Sequence, residues 1–120
     1  MPMPGRDQLN ALLQDSLLCL QERRFEEGKV LCQKALRSHP DNADAHHLLG
    51  LMLHGLGQSR EAIEQIRRAI ALNRRFAPFH NSLGTVLAEA NMPEEAARAF
   101  EKAIELQANY PEAISNLGAL

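Results

Sequence analysis

Apolar residues recur at three- and four-residue intervals along almost the whole chain, the spacing that gathers them on one side of an α-helix. Leu9, Leu12, Leu13, Leu17 and Leu20 mark a first helix running from about Asp7, its N-cap, to Arg23. Phe25 to Ser38 forms a second, with Val30, Leu31, Ala35 and Leu36 inward and Glu26, Glu27, Lys29 and Lys34 outward. His39-Pro40-Asp41-Asn42 stops it, because proline cannot donate a hydrogen bond and Asp and Asn favour turns and caps. The same pattern predicts helices over 43–56, 59–72, 77–90 and 93–106, and another opening at Pro111. Gly55 and Gly57 permit a tight reversal between the first two of these, and Pro78, Pro93 and Pro111 suit first helical turns. Residues 1–6 are expected to be a disordered lead-in, and 7–120 the folded domain.

The helices are copies of one another. A shift of 34 residues carries Leu83-Gly84 onto Leu49-Gly50 in one direction and onto Leu117-Gly118 in the other. It carries Glu95-Ala96 onto Glu61-Ala62, Phe100 onto Ile66 and Cys32, and Ala103-Ile104 onto Ala69-Ile70 and Ala35-Leu36. A fixed period of this size is the mark of a solenoid, whose hairpins bury their apolar faces only by stacking on their neighbours. Glycine inside a helix costs about 1 kcal/mol against alanine. Gly50, Gly84 and Gly118, all at one register position, therefore predict a close helix approach, with Ala62 and Ala96 as the small residues opposite.

Leu-Gly in one helix, followed by alanine and a large residue in the next, resembles the tetratricopeptide repeat. The pattern is carried by Leu49-Gly50 with Ala62 and Ile66, and by Leu83-Gly84 with Ala96 and Phe100. The closing proline survives only as Pro40, and Leu12, His46, His80 and Ile114 stand in the place of the usual tryptophan. The first repeat departs most, with Asp15-Ser16 for Leu-Gly and Gly28 for alanine. The resemblance implies an all-α, right-handed superhelical solenoid of stacked antiparallel hairpins. Its repeats would run over about 9–42, 43–76 and 77–110, with a partial fourth over 111–120. It also implies a concave groove lined by first helices that binds a protein or peptide segment. On this chain the groove stripe would be Asp44, His47, Leu51 and His54, then Asn81, Thr85 and Glu89, then Asn116. The stripe holds no Lys or Arg, so grip on a C-terminal carboxylate is disfavoured. The implied function is a non-catalytic interaction scaffold. The alternative is the amino-terminal arm of a larger multidomain enzyme, such as a glycosyltransferase or sulfotransferase, recruiting a protein substrate.

Composition narrows this picture. Apolar residues make up 45% and charged residues 23%, ordinary for a folded domain, while aromatics are only 4%, so packing falls to Leu, Ala and Ile. A formal charge of −2 offers no general attraction to nucleic acid or an anionic membrane. MPMPGRDQ lacks the apolar core of a signal peptide, no apolar run approaches a bilayer span, and two cysteines make no disulfide framework. Cytoplasmic localisation is the resulting expectation. His47 and His54 lie about 10 Å apart along a helix, too far to share an ion, so no metal and no cofactor is expected. Cys19 and Cys32 are expected as small buried apolar residues. No serine stands in a base-and-orienter set, so no catalysis is expected. Arg67, Arg68, Arg74 and Arg75 cluster toward the end of one helix, where cations oppose the negative pole of its dipole; a phosphate-bearing partner is the alternative reading. Glu64 with Arg68 and Glu94 with Arg98 have the spacing of intrahelical ion pairs. At the carboxyl end, Ile114, Leu117 and Leu120 cannot all be covered, which allows self-association there.

Overall fold

The computed structural model describes residues 4–120, so the first three residues of the expected lead-in lie outside it. Among the described residues seven helices follow one another: α1 (Pro4–Gln21), α2 (Phe25–Ser38), α3 (Ala43–Gly55), α4 (Ser59–Leu72), α5 (Ala77–Glu89), α6 (Pro93–Leu106) and α7 (Pro111–Gly118). They pair as antiparallel hairpins stacked into an all-α solenoid measuring 46 × 29 × 22 Å. α1 begins at Pro4 rather than at Asp7, so Asp7 sits in its first turn and is not its cap. Proline is tolerated there because a first-turn N–H has no partner within the helix.

Each hairpin turns in the same way. Arg23, Gly57 and Asn91, 34 residues apart, adopt positive φ of 59°, 80° and 64°. The following amides of Arg24, Gln58 and Met92 reach back to the carbonyls of Cys19, Leu53 and Leu87 at 2.8–2.9 Å. This six-to-one bond across a left-handed residue is the Schellman closure of a helix. The fold imposes it even on Arg23, which has no glycine's freedom. Between hairpins the amides of His39, Asn73 and Gln107 return to Ala35, Ala69 and Ala103, and the Asn42 side chain caps α3 through Ala45 N at 2.8 Å.

Small residues set the helix spacing. The buried sets Gly28/Cys32/Ala35, Ala62/Ile66/Ala69 and Ala96/Phe100/Ala103 repeat on α2, α4 and α6. A Cβ on Gly50 would stand 2.6 Å from Ile66 and 3.1 Å from the Ala62 carbonyl oxygen; one on Gly84 would stand 2.5–2.8 Å from the Phe100 ring. The close approach is therefore present, but at Gly84 the opposing group is the Phe100 ring rather than Ala96. Gly118 has nothing within 4 Å. Val30, expected inward, is 57% exposed. Its register equivalents are Glu64 and Arg98, which shows that the position belongs to the outer face. Cys19 and Cys32 are buried free thiols, and burial pushes both above the ordinary thiol range.

First helices approach one another along the stack: α1 meets α3, α3 meets α5 and α5 meets α7. Among the described residues, α2, α4 and α6 have no Cα atoms within 8 Å of one another. The first helices thus crowd one face while the second helices stand apart on the other. Among the described residues no helix is long and apolar enough to cross a membrane.

Candidate functional site

The first-helix face is built from side chains that recur along α1, α3, α5 and α7. At its amino-terminal end α1 and α3 enclose a depression of about 340 Å³. Leu13, Leu17, Leu20, Leu48 and Leu51 supply the apolar lining, and Gln14, Asp44 and His47 the polar edge. Leu17 is 47% exposed although it belongs to the apolar stripe of α1. A half-exposed leucine in a concave, leucine-lined site leaves apolar surface that a partner can cover.

Three of the expected stripe residues, Asp44, His47 and Leu51, meet at this depression. Most of the others are engaged with one another instead. His47 Nε2 lies 2.7 Å from Ser82 Oγ, and the His47 ring tilts against Phe79 with centroids 4.8 Å apart. His54 Nε2 lies 2.8 Å from the Glu89 carboxylate. Asn116 Nδ2 donates to Asn81 Oδ1 at 3.2 Å, and Thr85 Oγ1 donates to the Asn81 carbonyl at 3.1 Å. His47–Ser82, His54–Glu89 and Asn81–Asn116 are each 35 residues apart, one more than the repeat. The stack therefore joins successive first helices with a one-residue stagger. Asn81 is buried within this ladder. Burial without a compensating charge pushes His47 down from its ordinary 6.5 to about 4, so the ring is neutral at pH 7.

Leu13, Leu17 and Leu20 are lining residues that sequence reasoning placed only in a helix stripe, and Gln14 is one it did not single out. The signal for them was available: moved back by 34, His47, Leu48, Leu51 and His54 fall on these four positions. Asp15-Ser16 hid it, because the Leu-Gly mark that fixes the register is missing there. Ser16 takes the small-residue position, fully buried, with Oγ donating to the Leu12 carbonyl at 2.7 Å.

The remaining polar candidates are structural. His46 and His80 each donate Nε2 to the loop preceding their helix, on the carbonyls of Pro40 and Arg74 at 2.8 and 2.9 Å. Among the described residues no three His, Cys, Asp or Glu side chains gather as a metal-ligand set. The arginine cluster is not a dipole cap. The last turn of α4 holds no basic residue, and Arg74 and Arg75 follow the C-cap Asn73. Arg68 pairs with Glu64 at 3.1 Å and Arg67 with Glu95 of α6 at 3.2 Å, whereas Arg98 makes no ion pair with Glu94. At the carboxyl end Ile114 and Leu120 are both 48% exposed, while Leu117 packs against Leu87, Ala96, Ala99 and Phe100.

The tetratricopeptide repeat description matches residues 31–64 and again 53–114, the second match alone covering more than half of the chain. The chain belongs to the tetratricopeptide repeat family. Type IV pilus assembly protein PilF of Pseudomonas aeruginosa is 34% identical over 120 residues, which is 95% of this repeat chain and 46% of PilF. The solved PilF structure matches with a TM-score of 0.88 at 31% identity, over 98% of this chain and 54% of that one. An O-GlcNAc transferase mutant from Thermobaculum terrenum matches with a TM-score of 0.93 at 30% identity, over 99% of this chain and 23% of that one. The first tetratricopeptide domain of Spaghetti (RPAP3), bound to an HSP90 peptide, has a TM-score of 0.88 over 94% of this chain and 90% of that one; at 20% identity the likeness is one of fold alone. This tetratricopeptide chain spans less than half the length of the curated relatives it matches.

Proposed function

We propose that the chain is a non-catalytic scaffold that holds a segment of a partner protein on its first-helix face, anchored in the depression between α1 and α3. The observation that carries this is the half-exposed Leu17 among Leu13, Leu20, Leu48 and Leu51, in a concavity with few charges. Burying about 100 Å² of such apolar surface contributes roughly 2–3 kcal/mol, enough to make it the energetic centre of a modest interface. The ladder from His47 to Asn116 supports the groove wall by fixing how successive first helices meet. The tetratricopeptide domain of Spaghetti, similar in fold, is one that holds a peptide.

Glutamates at Leu17 and Leu51 form the test. The double variant Leu17→Glu, Leu51→Glu should retain its helicity, because neither side chain is fully buried. It should lose at least about tenfold in affinity for the natural partner, since charge would meet the anchor. A partner captured equally well by the double variant would place the site elsewhere. Replacing His47 or Asn81 is the poorer test, because both are tied to a neighbouring helix and their loss disturbs the stack.

The likeness to the O-GlcNAc transferase chain supports a second reading, in which these repeats are the arm of a larger enzyme and present its protein substrate. Immunoblotting of the native gene product separates the two. A product much larger than this chain, with transferase activity, favours the arm; a product of this size without activity removes it.

A further inference from the structure

The second-helix face carries a different feature. α4 and α6 stand apart, and the groove between them is bridged by the Arg67–Glu95 pair. Half-buried apolar side chains, Ile63, Ile70, Leu83 and Leu106, line its floor. At its Arg74–Arg75 end it opens into a cleft of about 810 Å³ that also takes in His80 and Lys102. The groove is strongly basic although the chain is net acidic. It holds seven of the thirteen Lys and Arg side chains and three of the fifteen Asp and Glu. Three of these cations are neutralised, in the pairs Arg67–Glu95, Arg68–Glu64 and Lys102–Glu105. Among the described residues Arg60, Arg74, Arg75 and Arg98 make no ion pair.

The repeat supplies its own control. Moved back by 34 residues, Arg60, Arg74, Arg75 and Arg98 fall on Glu26, Pro40, Asp41 and Glu64. The fold therefore does not require cations at these positions, and the groove between α2 and α4 lacks them. Residue 80 points the same way. In the second repeat His46 has Gln65 2.8 Å from Nδ1, but the equivalent position beside His80 is Ala99, which leaves that side of the ring to the cleft.

We propose that the α4–α6 groove is a second docking site, taking an extended segment of a partner protein in which acidic side chains are interspersed with apolar ones. Carboxylates would meet the unpaired guanidinium groups in charge-assisted, bidentate hydrogen bonds, and apolar side chains would cover the floor. Arg60 and the last residue of α4, Leu72, are 12 positions apart, roughly 18 Å along the helix axis, and Arg74 lies just beyond; about five or six extended residues match that length. The apolar floor selects a polypeptide over a nucleic-acid strand or a flat lipid surface, neither of which would fill it. The acidic remainder of the chain would repel both.

Titration of the isotope-labelled protein with a soluble peptide of glutamate and leucine tests the site by NMR. The Arg Nε–H resonances of Arg60, Arg74, Arg75 and Arg98 should shift, and the affinity should fall as salt rises. A glutamine-for-glutamate peptide should bind at least about tenfold more weakly, and Arg74→Glu, Arg75→Glu should weaken the glutamate peptide by a similar factor. Circular dichroism checks the fold of that variant, and Arg60→Gln, Arg98→Gln serves as a milder replacement. Leu17→Glu, Leu51→Glu should leave the titration unchanged, which separates this site from the α1–α3 depression. Unmoved arginine resonances at peptide excess, equal binding of the glutamine peptide, or tighter binding of an oligothymidylate would each overturn the proposal.

Discussion

Gly84→Leu should destabilise the stack by about 3 kcal/mol or more, because the first atom of the new side chain already collides with its neighbour. A Cβ at this position stands 2.5–2.8 Å from three atoms of the Phe100 ring, and Phe100 is itself fully buried. The ring has nowhere to go: it fills the space between α5 and α6 with Leu87, Ala96 and Ala99. Leucine also regains helix propensity, worth about 1 kcal/mol against glycine, so the observed loss is the overpacking cost less that gain. Gly84→Ala should fall in the same direction by a smaller amount, since one methyl group asks the ring to yield less. Gly50→Leu should resemble Gly84→Leu, because a Cβ there meets a backbone oxygen of Ala62 as well as Ile66. Guanidinium unfolding of the variants measures all three. A Gly84→Leu midpoint within error of the parent would show that α5 and α6 can separate freely, and the close-approach account would fail.

What the sequence makes legible is whatever the repeat enforces locally. Phe25–Ser38, Ser59–Leu72 and Pro93–Leu106 have the predicted bounds, because each starts after a turn signal and ends where the periodic apolar residues end. Val30 misled because it is apolar at a position whose copies, Glu64 and Arg98, are charged; the repeat register was the better guide than the residue type. The hairpin reversal is legible at Gly57 but not at Arg23, where only the packing of α1 against α2 forces a positive φ. The concave stripe was visible as a face. That its polar members would bond to one another was not, since the one-residue stagger joining 47 to 82 and 81 to 116 is set by how whole helices stack. The α4–α6 groove was visible only as a run of arginines. Its meaning depends on which of them the neighbouring helix neutralises.

Acidification should loosen the fold through His47. Its folded value is pushed down to about 4 by burial, against an ordinary 6.5 for an exposed imidazole. The unfolded chain therefore takes up the proton more readily than the folded one. The contribution is fully present above pH 6.5 and is lost progressively as the pH falls from 6.5 toward 4. By linkage the loss amounts to about 2 kcal/mol at pH 5 and about 3 kcal/mol at pH 4. The ring cannot easily escape, because it is held between Phe79 and Ser82 on α5. Protonation thus strains the junction of α3 with α5, and it does so at the edge of the α1–α3 depression. His47→Leu, which copies Leu13 at the equivalent position, removes the titrating group and should flatten stability between pH 6.5 and 4.5. Denaturant unfolding at a series of pH values compares the two proteins, and the His47 ring-proton shift reports its titration directly. A ring-proton midpoint near 6.5, or the same pH slope with and without the imidazole, would mean that His47 reaches solvent freely and does not couple pH to this face.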